Sequence, residues 1–302
     1  DIFQIKPDHA HNQKLLKMFK IQKSMRHSNI AAVVDSMATS NYLFIESQSM
    51  EYSLQHLLKS KRKQLSMNHI KFIFYQMVLA VGYLHHQGVE HLDLHPQNFL
   101  ISEDCEIKLS GFVNASVRKL PKQEEFKSSY QNYYTAPEVM LNNGENPHCL
   151  FKADIWALGC MFFELLEGKS LFYFSRYYLD QLKWIFRLLG VPPADLEWIT
   201  NLQARGWVSK MRFAEKRASS YLGAGKSCPL VCDLLDKMLA VDPGQRVSAV
   251  ELLQHPFFKD LFDAQDVLFG KKRIRLEDFL YCHPNYKDAR KVRKAIVRYT
   301  LD

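Results

Sequence analysis

No apolar run in the 302 residues approaches the roughly 18 that a membrane-spanning helix needs, so no spanning segment is expected. No secretory leader is expected ahead of the first element. The six cysteines, Cys105, Cys149, Cys160, Cys228, Cys232 and Cys282, are scattered. They show no metal-ligand spacing, and Cys228 with Cys232 is too little for zinc. The reading is reduced thiols in an intracellular protein of the cytoplasm, the nucleus or both. There are no internal repeats, no low-complexity tracts and no Pro- or Gly-rich linker between separate domains.

Hydrophobic residues make up 47% and aromatics 13%, enough for one large domain or for two lobes with their own cores. The formal net charge is +8. Basic residues crowd the C-terminal end, in Lys271-Lys272-Arg273-Ile274-Arg275 and again from Lys287 to Arg298. A solvated face plus the charged side of a helix accounts for them. Nucleic-acid, anionic-membrane or nuclear-import contact is the alternative. Neither a membrane nor a nucleic acid is the expected partner.

Short apolar runs within residues 1–6 and 31–47, among them Ala31-Ala32-Val33-Val34 and Tyr42-Leu43-Phe44-Ile45, predict strands. Between them Leu15, Leu16, Met18, Phe19 and Met25 predict a helix with a basic outer face. After residue 50 the pattern is mostly helical. His69 to His86 carries too many apolar positions for a surface helix and is expected to be central and buried. Ile155 to Leu166 has the same character. The predicted class is α+β, a small strand-rich lobe followed by a large helical one. The expected divisions are 1–49, 50–270 and a C-terminal extension, 271–302.

The most informative stretch is His91-Leu92-Asp93-Leu94-His95-Pro96-Gln97-Asn98. A phosphoryl-transfer loop needs an Asp to receive the substrate hydroxyl and an Asn five positions on to hold a metal ion; Asp93 and Asn98 have that spacing. A strand then ends in Ile107-Lys108-Leu109-Ser110-Gly111-Phe112-Val113. Phe112 sits where an Asp-Phe-Gly has its Phe, but Gly111 stands in place of the Asp and Val113 in place of the Gly. Ala136-Pro137-Glu138, then Asp154-Ile155-Trp156-Ala157-Leu158-Gly159, then Arg246 in Asp242-Pro243-Gly244-Gln245-Arg246 follow in order.

With these pieces the chain resembles the eukaryotic protein kinases over nearly its whole length. The resemblance implies a bilobal kinase-like fold with a truncated small lobe, a buried ion pair between Glu138 and Arg246, and an Asp154 that braces the catalytic-loop backbone. Tyr178-Leu179-Asp180-Gln181-Leu182, Leu189-Gly190, Ile199 to Arg205, Leu234 to Leu239 and His255-Pro256-Phe257-Phe258 are similar to the mitogen-activated protein kinases of the extracellular-signal-regulated type. The tail from Leu276 to Tyr299 resembles that group's C-terminal extension, which returns to the small lobe. Its Val292, Ile296 and Tyr299 lie on one helical face.

Several departures bear on the chemistry that the resemblance implies. The Asp-Phe-Gly carboxylate is the main protein anchor for the metal ions, and Gly111 has no side chain. Asp104 and Glu103 are expected to point elsewhere, and Asn98 alone is a neutral ligand. His95, largely neutral at pH 7, replaces the Lys that balances the transferred phosphate. Met18 replaces the Glu that orients the phosphate-gripping Lys. That Lys is at best Lys6, although the gap from Lys6 to Met18 is shorter than the family's. A Gly-rich phosphate loop is not among these residues and is expected upstream if the chain, which starts at Asp1, is trimmed. Leu92 replaces the Arg that reads an activation-loop phosphate, and Phe126, Lys127 and Ser128 stand where the phosphorylated Thr-x-Tyr belongs. Ser47, at the back of the adenine pocket, leaves space there. Gly111→Asp with His95→Lys is the natural test of whether the remaining site is preorganised.

The mitogen-activated group recruits partners through an Asp-x-x-Asp patch, which Asp263-Ala264-Gln265-Asp266 matches. The groove beside it has a Cys that Cys105 matches. A carboxylate pair attracts a short Lys/Arg run, and the groove accepts the apolar residues that follow. Two ordinary surface carboxylates at a helix end are the alternative. The expected function is a pseudokinase that binds or scaffolds signalling proteins carrying basic–apolar docking peptides, with no cofactor. The alternative is an active or weakly active Ser/Thr kinase using ATP and Mg; a basic nucleic-acid or membrane binder on the same fold is a third reading.

Overall fold

The computed structural model describes residues 1–48, 50–60, 65–117, 133–141, 150–172, 178–190, 196–211, 216–223, 228–269, 274, 279 and 288–300. Phe126, Lys127 and Ser128, which stand in place of the Thr-x-Tyr, lie outside the described residues, as does most of 270–287.

The small lobe is one antiparallel sheet and one helix. Strand β1 (Ile2–Gln4) pairs with β3 (Tyr42–Ser47), which pairs with β2 (Val33–Ala38). The apolar run at 31–47 is thus two strands joined by a hairpin. In register, Phe3 faces Leu43 and Leu43 faces Ala38, so these side chains share the face that is buried. Helix α1 (His9–Ser24) starts at Asp8, whose carboxylate accepts from the Ala10 N–H at 3.0 Å. Asn12 bonds the backbone of Lys6 in both directions, at 2.7 and 3.2 Å, and fixes the turn into the helix. Leu15, Leu16, Met18, Phe19 and Ile21 are buried in the core. The expected basic outer face is only partly outer, since Lys20 is buried and Lys14 is half-buried.

The large lobe opens with β4 (Tyr52–Ser53) and α2 (Leu54–Lys59). Helix α3 (Met67–His86) follows, capped by Ser66, and is its axis. Ile73, Phe74, Met77, Val78, Ala80, Val81 and Leu84 are fully buried, as the all-round apolar pattern predicts. Next come β5 (Val89–Glu90), β6 (Phe99–Ile101), β7 (Ile107–Leu109) and β8 (Ser116–Val117). Strands β4, β6 and β7 form one small sheet and β5 pairs with β8. These short ladders hold the two ends of the loop 91–98 and the segment after β7 in place. Helix α4 (Pro137–Leu141) is followed by α5 (Leu150–Glu167), the second buried helix, with Phe162 stacked on Phe74 at 4.4 Å. Then come α6 (Tyr178–Leu189), α7 (Leu202–Val208), α8 (Pro229–Met238) and α9 (Ala249–Leu253).

The lobes are tied by buried amides. Asn29 donates to the Gln76 side chain at 3.2 Å and to the Ile107 carbonyl at 2.9 Å, while Gln76 accepts from the Ile107 N–H at 2.9 Å. The last helix, α10 (Ala289–Tyr299), lies on α1 and near β2, with Val292 and Ile296 fully buried. Lys23 donates to the Tyr299 carbonyl at 2.8 Å, and the Tyr299 ring meets Phe19 edge-on at 5.7 Å.

Arg246 uses its whole guanidinium. It binds both Glu138 oxygens, at 2.5 and 2.7 Å, and donates to the carbonyls of Ala240, Val241 and Lys152. Trp156 lies under its face at 4.8 Å. Both charges are buried, so their pairing must hold. Glu138→Ala strands a desolvated cation; it is expected to cost about 3–5 kcal/mol and to lower Tm by more than about 5 °C in a calorimetric melt.

Candidate functional site

The loop 91–98 is shaped by Asp154. One oxygen of this buried carboxylate accepts from the Leu92 N–H at 2.9 Å; the other accepts from the His91 N–H at 2.9 Å and lies 2.9 Å from His85 Nε2. Leu92 is held at φ 63°, a left-handed backbone that costs a side-chain-bearing residue about 1–2 kcal/mol. Two consecutive N–H groups thereby point at one acceptor. His91 is fully buried, and burial lowers its pKa, so its ring is neutral. The Asp93 N–H donates to its Nδ1, which leaves Nε2 to donate to the Ser110 carbonyl at 3.0 Å.

Asp93 and Asn98 do come together. Asn98 Nδ2 donates to the Asp93 carbonyl at 2.8 Å. The Asp93 carboxylate is half-buried, and its Oδ2 accepts from Asn114 Nδ2 at 2.8 Å. Asn114 Oδ1 in turn accepts from Lys14 Nζ at 2.8 Å. The sequence reading missed this Lys14–Asn114–Asp93 chain. The available signal was spacing, since Lys14 lies one turn before Met18 on α1 and so shares its side of the helix. Burial lowers the Lys14 pKa, opposed by the Asp93 charge. His95 is buried beside them with its pKa lowered, foremost by burial, and is neutral at pH 7.

Met18 is buried in the small-lobe core. Lys6 is exposed in the turn before α1, and its ammonium has no hydrogen bond or ion pair among the described residues. Glu103 and Asp104 lie in an exposed turn between β6 and β7. Gly111 has φ 82° and ψ 41° and starts a short 3₁₀ turn, Phe112–Asn114, that sits against α1. A Cβ at Gly111 would stand 2.3 Å from Asn98 Oδ1. The gain of a carboxylate by Gly111→Asp, reasonable from sequence, is therefore blocked unless Asn98 moves. With one neutral amide and one hydrogen-bonded carboxylate, this donor set does not fit a hard divalent cation. Among the described residues no group of three His, Cys, Asp or Glu side chains is arranged for a metal.

The second candidate site lies behind α3. Asp266 accepts from the buried Tyr75 hydroxyl at 2.6 Å, and Asp263 caps the turn Ala264–Val267 through the Gln265 N–H. The Cys105 carbonyl accepts from Gln76 at 2.8 Å. Tyr75 and Gln76 are neighbours on α3, so Asp266 and Cys105 are anchored to the same turn.

A family model described as protein kinase domain matches residues 3–258. The chain belongs to the protein kinase family. Mitogen-activated protein kinase 14 of Xenopus laevis is 32% identical over 267 residues, covering 85% of this chain and 70% of that protein. The kinase family membership accounts for the two lobes and the order of the motifs, and the likeness is to its mitogen-activated branch.

One titration in this kinase fold is worth measuring. Burial lowers the His27 pKa from its ordinary 6.5 to about 4, with Asp266 opposing and Lys108 adding to the shift. As pH falls through that window the unfolded chain takes up a proton that the folded chain refuses, so stability is lost on acidification. His27→Gln should flatten the fall in Tm between pH 7 and pH 5, measured by thermal melts; an unchanged slope would mean that other groups carry it.

Proposed function

We propose that this kinase-family chain is a pseudokinase of the mitogen-activated type, a binding or scaffolding domain rather than a phosphotransferase. The observation that carries the reading is Gly111, whose missing carboxylate has its space taken by the Asn98 amide. Removing one electrostatic stabiliser from an active site costs on the order of 10²–10³ in rate, and His95 and Met18 remove others. We read residues 1–49 as a partial small lobe, 50–270 as the large lobe and 271–302 as its extension, working in the cytoplasm or nucleus. A weakly active Ser/Thr kinase using ATP is the second reading. It is favoured by Asp93 and Asn98, which keep their relation inside the loop held by Asp154.

The useful surface on the first reading is Asp263 and Asp266 with the groove by Cys105. Its partners are proteins carrying two or three basic residues, a short spacer and alternating apolar residues. Such a peptide is expected to bind at about micromolar Kd and to weaken with salt. Asp263→Asn with Asp266→Asn keeps the cap and the Tyr75 acceptor while removing both charges, and should weaken binding about tenfold or more. Asp93→Asn should leave it alone. Titration calorimetry at two salt concentrations, beside a phosphate-transfer assay on myelin basic protein, decides the matter. A double mutant that binds like the parent ends the docking role. Turnover near about 1 s⁻¹ ends the pseudokinase reading.

A further inference from the structure

The outer face of the small-lobe sheet is apolar where a face turned to water is normally polar. Phe3, Leu43 and Ala38 turn to the core, so the alternate residues point outward. Ile2 pairs with Phe44 and Phe44 with Met37, which makes one apolar row across all three strands. Ile2 is 69% exposed and Met37 57%. Tyr42, 43% exposed, extends the patch along β3, with its ring 6.2 Å from that of Phe44. Val34, at the bulge of β2, is 64% exposed. Contiguous exposed apolar surface of this kind marks an interaction site.

The same face has two charged ends. At one end Asp35 and Glu46 lie directly opposite each other on β2 and β3, both exposed. Like charges in that relation repel. Asp35 accepts from the Ser36 N–H beside it at 2.7 Å, and no cation among the described residues pairs with either carboxylate. At the other end, past Gln4 and Tyr42, are two cations. Lys6 is exposed in the turn leaving β1, and Arg293 of α10 rests on the Ser40 carbonyl at the β2–β3 hairpin. No carboxylate among the described residues pairs with them.

We infer that this face is the contact between two copies of the chain, packed sheet to sheet about a two-fold axis that crosses the strands at Phe44. Sheets packed face to face sit about 10 Å apart. An axis in that position lays the Ile2–Phe44–Met37 row on its own copy. It also reverses the strand direction, so the acidic end of each copy lies toward the basic end of the other. The long Lys6 and Arg293 side chains then reach the Asp35–Glu46 pair in two symmetric contacts and relieve the repulsion there. A second copy thus complements the apolar row and both charged ends, whereas a polyanion such as a nucleic acid suits only one end. The face is small: strands about 4.8 Å apart with a rise of about 3.3 Å per residue present roughly 14 Å by 20 Å. The contact therefore falls in the transient class, below about 1,200 Å² in total, and the dimer dissociates on dilution. Asp263 and Asp266 lie in the large lobe, outside this contact.

The test is sedimentation velocity of the full chain from about 1 to about 200 μM. The expected result is a shift from monomer to dimer with a midpoint on the order of 10–100 μM. Met37→Asp sets a carboxylate at the axis against its own copy and should weaken the dimer about tenfold or more. Asp35→Lys with Glu46→Lys makes both ends basic, and Lys6→Glu with Arg293→Glu makes both ends acidic. Each of these variants alone should stay monomeric, and an equimolar mixture of the two should form the dimer again. Melting curves establish that each is folded, and Lys6→Glu alone replaces the acidic double variant if that one is not. A parent that stays monomeric overturns the inference. So does Met37→Asp that dimerises like the parent, or a mixture of the two charge variants that stays monomeric.

Discussion

One carboxylate gives the centre of this molecule its shape. Asp154 is out of water, and the N–H groups of His91 and Leu92 are its compensation. Hydrogen bonds to a charged group contribute about 1.5–3 kcal/mol each, which offsets the left-handed backbone at Leu92. The direction of the His91 ring follows from that anchor, and the ring then holds the Ser110 carbonyl. From Ser110 the chain turns at Gly111 into the segment that carries Asn114. The loop and the segment after β7 are thus positioned by a buried carboxylate that lies outside both. This keeps the loop and the turn at Gly111 in place whatever side chains they carry.

The side chains around Gly111 and Asp93 fit one another. A glycine alone at 111 would leave a hole, but Asn98 fills it. An unpaired Asp93 would carry an unbalanced charge in a half-buried place, but Asn114 and Lys14 spread it over two hydrogen bonds. Burial keeps the nearby His95 and His91 neutral, so they add no second cation. Lys14, Asn114, Asp93 and Asn98 form one hydrogen-bonded relay, and the bonds of such a network strengthen one another.

Much of the fold was legible in the sequence because it is written locally. The all-round apolar pattern of α3, the Asp154 motif and the Glu138 and Arg246 positions are each read from a few adjacent residues. The pairing of Asp93 with Asn98 follows from a spacing inside one loop. The side of α1 that carries Lys14 was legible from its spacing to Met18, but its meeting with Asn114 was not, because the two lie 100 residues apart. Lys6 was assigned by type and rough distance along the chain, whereas the turn held by Asn12 leaves its side chain in solvent. Periodicity placed the lysines of α1 on the outside; it could not show that Lys20 would be covered by the ring of Tyr299 from the far end of the chain.

That joint between α1 and α10 has an unusual charge balance. Neither helix contains an acidic residue between its caps, while α1 carries Lys14, Lys17, Lys20 and Lys23 and α10 carries Arg290, Lys291, Arg293, Lys294 and Arg298. The two are held by buried Val292 and Ile296, by the Tyr299 ring under the ammoniums of Lys20 and Lys23, and by a lysine on the carbonyl end of α10. Long-range repulsion between the helices works against these short-range contacts, and salt screens the long-range part more. Rising ionic strength therefore tightens the grip of the tail on the small lobe, so this joint is a contact between two like-charged helices that salt strengthens rather than weakens.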